Sequence, residues 1–567
     1  MSAATRTPGA PPAPGGSTPG SLPLPDAPEA ARGRWAGFAA LAGGLAMIVL
    51  DGTVVSVTTP AMVDDIGLTL SDAQWVSSGY AVVFAALLLT TGRLGDRHGR
   101  RLLFTIGVAT FAAASLLVAA AQDPASLIGA RMVQGVGGAL VLPSTLSTLN
   151  ATFRGRDRAV AFGLWGAVMA GAAAIGPLLG GWFATDFSWR WVFLINLPVA
   201  AVVLGLAIRF VPETRGEGVA GFDAAGLVLS AGGLGALVFG LIEAPVIGWF
   251  RPRQDFDLLG MTWPQTASVS AAFVALVVGA LATALLFVVE RHRGRKGRAV
   301  VLDLSLFAVP TFAWGNLTAA MVAVGEFALL FVLPLYLVYA GRLSVLQAGG
   351  VLAAMAGGAF VAGARARSLA RRLGPPQVVA LGLALELVAT VAAAWTLPSG
   401  APVWLVAVLL AGYGLGLGLA SAQLTSTVLR DVPVERSGAA AATQSTVRQL
   451  GSAFGAALAG TVLAVGFAIT VPQRLALVDG VSHDDALVMI DYMTGTAGAV
   501  ISWIHAKGTD GYFGALGPQV ADQLSIAFAQ SAGAALWAAA VFLALGLAGA
   551  LAVGRASRRA ADGVVEA

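Results

Sequence analysis

The chain reads as an all-α polytopic membrane protein, and three observations predict it. Its 567 residues are 57% hydrophobic and only 11% charged, where soluble domains carry about 25% charged residues. Those apolar residues gather into fourteen runs of membrane-spanning length. Cysteine is absent, which excludes disulfides, zinc–cysteine sites, iron–sulfur clusters and thiol nucleophiles together. Function is left to carboxylates, arginines, amides and aromatics.

Residues 1–34 are rich in Pro, Gly, Ala and Ser, a composition that buries too little apolar surface to fold, and predict a disordered tail. They do not read as a signal peptide, because the apolar run after Arg32 and Arg34 continues to spanning length. A bilayer core of about 30 Å takes roughly 20 apolar residues per helix. Spans are expected at 36–58, 75–93, 102–121, 125–149, 159–184, 190–211, 223–248, 267–289, 312–339, 346–369, 377–397, 402–429, 437–470 and 525–553.

Arginine placement sets the orientation. The loop after span 2 holds Arg93, Arg97, Arg100 and Arg101; that after span 4 holds Arg154, Arg156 and Arg158; that after span 8 holds Arg291, Arg293, Arg295, Lys296 and Arg298. The loops after spans 1, 3 and 11 have no Lys or Arg. Both termini are therefore expected on the cytoplasmic side of the cytoplasmic (inner) membrane. The net charge of +4 is an orientation signal, not the footprint of nucleic acid. The long connection 471–524 faces outward on this count, with six aspartates against Arg474 and Lys507. Asp491 interrupts its apolar middle, which reads as a surface or re-entrant helix.

Sliding the chain on itself by 275 residues superposes Asp51 on Glu326, the loop Leu94–Gly99 on Leu369–Gly374, and Gly176 and Gly180 on Gly451 and Gly455. Two six-span halves are implied, with spans 7 and 8 inserted between them. The expected organisation is a tail 1–34, a first bundle 35–215, a two-helix linker 216–298, a second bundle 299–555 carrying the outer loop 471–524, and a tail 556–567. Repeated halves around a midplane site are how many secondary transporters are built.

An ionised side chain at bilayer depth costs at least about 2.5–3.5 kcal/mol, so each one needs a reason. Asp51 in span 1 and Arg131 in span 4 are expected about 10–12 Å below the outer surface, at 1.5 Å per residue, where they meet if the spans are neighbours. Asp51 is then a carboxyl that exchanges a proton as access and its distance to Arg131 change; a static ion pair is the plainer alternative. Glu326, midway along span 9 with no basic residue nearby in sequence, is read as a proton or substrate group. Glu386 in span 11 is a further candidate for substrate contact, Glu243 is read as a solvated rim residue, and Arg448 as a structural group bonding beside Gln444 and Gln449. Tyr80, Phe84, Phe327, Tyr336 and Tyr413 could wall a substrate cavity, although aromatics in helices are more often packing residues.

These residues resemble the major facilitator superfamily, specifically its fourteen-span drug/proton antiporter family of multidrug efflux type. The run Gly92, Arg93, Leu94, Gly95, Asp96, Arg97, His98, Gly99, Arg100, Arg101 resembles the superfamily's cytoplasmic gating motif, whose aspartate and arginines hold the halves closed inside. Leu50-Asp51-Gly52-Thr53-Val54-Val55 is similar to the family's span 1 signature, with the acid as its proton-coupling candidate. Arg131-Met132-Val133-Gln134-Gly135 is similar to the span 4 motif whose arginine is implicated in proton transfer, and Gln134 joins the candidate cavity residues. Gly163, Gly176, Pro177, Gly180 and Gly181 match the span 5 antiporter motif, with Ala172 where a glycine is expected. Ser188 to Phe193 and Asn196-Leu197-Pro198 resemble the family's entry to span 6. The resemblance implies the major facilitator fold of two six-helix bundles plus two inserted helices.

The function expected is proton-coupled antiport, exporting hydrophobic or cationic drugs or metabolites by alternating access. The proton gradient replaces any cofactor or metal, the partners are substrate, protons and lipid bilayer, and a monomer is expected. Export of an endogenous antibiotic or lipid is the alternative, and a non-transporting membrane sensor a distant one. A membrane enzyme fails on inventory: His98, His292, His483 and His505 are all expected in loops, and no His-Glu-x-x-His pair occurs. Neither Lys296 nor Lys507 is followed by Ser or Thr, so no phosphate-binding loop is present.

Overall fold

Backbone amides inside an apolar slab must be satisfied within their own segment, and among the described residues fourteen long apolar helices do so. The computed structural model describes residues 28–215, 223–258, 261–296, 298, 300–433 and 436–565. The first six spans are α1 (Pro28–Ile66), α2 (Leu70–His98), α3 (Arg100–Ala120), α4 (Pro124–Thr152), α5 (Gly155–Asp186), and the short α6 (Trp191–Leu194) with α7 (Asn196–Phe210). The inserted pair is α8 (Ala224–Ile247) and α9 (Ala271–Arg295). The last six spans are α10 (Pro310–Leu335), α11 (Val345–Leu373), α12 (Pro375–Thr396), α13 (Val403–Val428), α14 (Ser437–Leu475) and α17 (Gly517–Val565), with the short α15 (His483–Gly495) and α16 (Val500–Lys507) before the last. Most of the tail 1–34 lies outside the described residues, and α1 starts within it at Pro28.

Both six-helix bundles use one packing plan. In the first, α1 lies against α5 and α7, α2 against α4, and α3 against α4 and α7. In the second, α10 lies against α14 and α17, α11 against α13, and α12 against α13 and α17. The correspondence reaches single caps. Thr69 and Asp72 form a capping box that starts α2, and Ser344 and Gln347 form one that starts α11, again 275 residues on. The α2–α3 hairpin turns at Gly99 (φ 125°) and the α11–α12 hairpin at Gly374 (φ 89°), backbone conformations that only glycine adopts at little cost.

The inserted pair sits on the seam between the bundles. Helix α8 packs on α9, α2 and α14. Trp75 Nε1 donates to Glu243 Oε1 at 2.8 Å and Thr461 Oγ1 to the Leu241 carbonyl at 2.7 Å. Glu243 is therefore half-buried and bonded to α2, not a solvated rim residue. A short hairpin, β1 (Phe256–Leu258) with antiparallel β2 (Met261–Trp263), connects α8 to α9, and delays the start of span 8 from the expected 267 to Ala271.

Helices α15 and α16 fold back on each other by 117° at the end of the bundle away from the arginine-rich hairpins. Ser482 caps α15, and its hydroxyl and amide, together with Tyr512, hold the Asp485 carboxyl below its usual value. Met489, Met493, Val500 and Ile501 are buried against α14 and α17. The four histidines lie within the ends of helices α2, α9, α15 and α16 rather than in loops, since each terminal turn extends past the apolar run.

Candidate functional site

Helix α1 continues through Pro60 to Ile66, so Asp51 lies about 22 Å from that helix end at 1.5 Å per residue. The extra length projects beyond α4, and Asp51 meets Arg131 seven residues inside α4. Arg131 Nη1 reaches Asp51 Oδ2 at 2.6 Å, with side chains 2% and 0% exposed.

Helices α2, α3, α4 and α7 supply the remaining partners. Gln134 Nε2 donates to Asp51 Oδ1 at 3.0 Å and to Ser115 Oγ on α3 at 2.8 Å. Arg131 Nη1 also donates to Gln134 Oε1 at 2.5 Å, and Arg131 Nε to the Val76 carbonyl on α2 at 3.3 Å. Asn196 Nδ2 on α7 donates to Ser115 Oγ at 3.1 Å. The guanidinium lies 4.5 Å from the Tyr80 ring centroid and 5.9 Å from that of Phe193, positions that stabilise a desolvated cation. Every charge in this cluster has a counter-charge, and both carboxylate oxygens of Asp51 accept bonds, as burial requires. Protonating Asp51 would leave the buried Arg131 guanidinium without its counter-charge.

The second bundle holds a looser cluster. Glu326 on α10 is paired, contrary to the expectation from its sequence neighbours: Arg448 Nη2 lies 3.6 Å from Glu326 Oε2. Arg448 is thus a counter-ion and not merely a structural donor; Gln444 bonds to Thr425 and Gln449 to Ser452 instead. The Glu386 carboxyl on α12 is 0% exposed, without a hydrogen-bond partner on either oxygen.

The five aromatics do not form one wall. Tyr80 and Phe84 meet edge-on at 5.7 Å beside Arg131 in the first bundle. Tyr336 packs toward Phe528, with ring centroids 6.4 Å apart. Phe327 is half-buried on α10, and Phe84 and Tyr413 are each 1% exposed, packed among helices rather than lining an open cavity.

The gating-motif residues are bonded inside the first bundle. Arg100 Nη2 pairs with Asp96 at 2.7 Å, and Arg100 Nη1 donates to the Ser147 carbonyl on α4 at 3.2 Å. A Cβ at Gly92 would lie 3.5 Å from Pro143, and one at Gly99 would collide with the Glu213 carboxylate at 2.7 Å. Glu213 in turn accepts from the Arg101 amide at 3.0 Å. Arg97 is exposed. The Arg100 bond to the Ser147 carbonyl ties the hairpin to α4.

The span 5 glycines make close helix approaches. A Cβ at Gly176 would meet Thr53 on α1, and one at Gly180 would lie 3.1 Å from Val54. Gly181 faces Leu346 of the second bundle, and a Cβ at Gly349 would lie 2.5 Å from the Pro177 carbonyl. Gly163 is on α5, and its surroundings fall outside the described side chains. At the 275-residue offset, Gly451 and Gly455 pack α14 against Ala320 and Val324 of α10.

Sequence reasoning missed the seam between bundles. Gln74 Nε2 donates to the Ala457 carbonyl at 2.6 Å and Ser78 Oγ to that of Ala453 at 3.0 Å. Tyr339 donates to the Pro60 carbonyl at 3.0 Å and to Asp64 at 3.1 Å, and Leu346 N donates to Thr185 at 3.1 Å. Ser115 and Asn196 were also missed, although polar residues inside apolar spans are a usable signal. Trp189 and Arg190 of the span 6 entry both bond to Asp65 at the end of α1, which accounts for that motif.

A family model for the Major Facilitator Superfamily matches residues 39–226 and 223–456. The chain is 32% identical over 454 residues to the tetracenomycin C resistance and export protein of Streptomyces glaucescens, covering 78% of this chain and 79% of that protein. It is 33% identical to the puromycin resistance protein of Streptomyces alboniger, covering 83% and 91%, and 32% identical to the multidrug efflux pump LfrA of Mycolicibacterium smegmatis, covering 76% and 80%. Among solved structures, an inward-facing bacterial homolog of the human lysosomal transporter Spinster superposes with TM-score 0.58 at 16% identity, covering 92% of this chain and 96% of that one. A D-xylose–proton symporter superposes with TM-score 0.51 at 13% identity, covering 83% and 97%. The chain belongs to the major facilitator superfamily and is a multi-pass membrane transporter of its multidrug-efflux type.

Proposed function

We propose that the protein is a proton-driven antiporter that exports small hydrophobic or cationic compounds from the cytoplasm by alternating access. The observation that carries this reading is the Asp51–Arg131–Gln134 cluster, a fully buried carboxylate whose guanidinium partner sits on another helix. Its protonation state biases how α1 lies against α4. The positive-inside rule makes the arginine-rich end, with both termini, cytoplasmic. On that orientation the Gln74, Ser78, Tyr339 and Leu346 bonds seal the outer side, and rocking the bundles about the cluster exchanges the sealed face. Protons enter from outside to Asp51 as the seam opens and leave inside, and no cofactor is used. Purified protein in proteoliposomes tests the reading: efflux should require an inward proton gradient and should move protons only when substrate is present.

The second reading is a dedicated exporter of an endogenous antibiotic. The names of the Streptomyces glaucescens relative and of a probable actinorhodin transporter of Streptomyces coelicolor, 32% identical over 458 residues, favour it. Both readings share one coupling site and differ in the breadth of compounds moved, which an efflux panel resolves.

A further inference from the structure

The second bundle contains more acid than base at its centre. Helices α12 and α13 carry one charged residue between them, Glu386, and α17 carries none between Asp522 and Arg555. Glu386 is 0% exposed, with neither carboxyl oxygen bonded, and its Cγ lies 2.8 Å from where a Cβ on Gly416 of α13 would stand. Among the described residues, the charged groups that act electrostatically on Glu386 are Glu326 on α10 and Arg448 on α14; the Tyr413 hydroxyl on α13 is buried without a hydrogen-bond partner. The α11 arginines Arg365, Arg367, Arg371 and Arg372 lie toward the far end of their helix. In the first bundle one acid meets one guanidinium, whereas here two acids share one. A buried ionised carboxylate with no partner is not tolerated; the group neutralises instead.

We propose that Glu386 holds a resident proton, a second proton-carrying site in the bundle opposite Asp51, and that Arg448 hands over between the two glutamates. Arg448 now pairs with Glu326, whose side chain is 16% exposed while that of Arg448 is 38% exposed. If the guanidinium moves to Glu386, the Glu386 O–H bond breaks and the Glu326 carboxylate, left without its cation, takes the proton. Net charge in the cluster is unchanged. The proton has moved from a carboxyl that is 0% exposed to one on a side chain that is 16% exposed. The transport consequence, a second proton per cycle, rests on the proton-coupled reading above, but the site itself does not.

Infrared spectroscopy of the full-length protein in lipid at neutral pH tests the site without transport. Wild type should show the carbonyl stretch of a protonated carboxyl, shifted in D2O. Glu386→Gln should remove one carboxyl's share of that band in the difference spectrum and Asp51→Asn should leave it. Glu326→Gln should remove the same share, because Arg448 then pairs with Glu386 and ionises it. Arg448→Gln should add one such share, because both glutamates become neutral. A band unaltered in folded, monodisperse Glu386→Gln protein shows that Glu386 is ionised and overturns the proposal. An undiminished band in Glu326→Gln, or no gain in Arg448→Gln, overturns the handover. Loss of proton coupling in vesicles would count against the functional reading and leave these spectra as they stand.

Discussion

Asp51 and Arg131 are eighty residues apart in the chain and 2.6 Å apart in the structure, and Gln134 bonds to both. One turn of α4 therefore presents the cation and the amide that together occupy the carboxylate.

Removing one member strands the other in an apolar interior, which costs about 3–5 kcal/mol, whereas removing both together is much milder. Arg131→Leu should lower the melting temperature of purified protein strongly. Asp51→Leu combined with Arg131→Leu should recover most of that loss, so that the double variant melts well above Arg131→Leu alone. Strictly additive losses would show that the pair does not act as a unit.

Gly349 and its neighbour Gly350 give a matched comparison. A Cβ at Gly349 would lie 2.5 Å from the Pro177 carbonyl across the seam, and one at Gly350 meets nothing within 4 Å. Gly349→Val should push α5 and α11 apart and shift the population away from this conformation, while Gly350→Val should not. Distances between spin labels on the two bundles report this, and attachment is clean because the chain has no native cysteine.

Tyr339→Phe deletes the hydroxyl that reaches Pro60 and Asp64. Net losses of about 0.5–1.5 kcal/mol per bond predict a roughly threefold to tenfold gain in the open population at that end. Labelling rates of a single cysteine introduced near Asp64 measure it, and an unchanged rate would show that the seam does not depend on this contact.

The fold was largely legible because membrane insertion ties apolar run length directly to helices, and the 275-residue offset doubled every signal. Asp51 and Arg131 could be paired from depth alone, since each is a lone charge in its span. The partner of Glu326 was not legible: Arg448 sits in a polar stretch of α14, and only three-dimensional packing of α10 on α14 brings the two together. The seam was hidden for a different reason. Gln74, Ser78 and Thr185 donate to or accept from backbone groups, which leave no residue-type signature on the other side. The gating hairpin was recognisable by its residues, but its tie to α4 runs from Arg100 to the Ser147 carbonyl, and a backbone acceptor leaves no residue-type signature.

The most direct test of proton coupling through Asp51 is proton release measured together with substrate transport in proteoliposomes of wild type and Asp51→Asn. Wild type should show substrate-dependent proton movement and gradient-driven efflux. Asp51→Asn should lose gradient-driven efflux by about 100-fold or more, the size of effect that follows from removing a proton-transfer group, while downhill substrate exchange continues. Full gradient-driven transport by Asp51→Asn would contradict the assignment of coupling to this carboxylate.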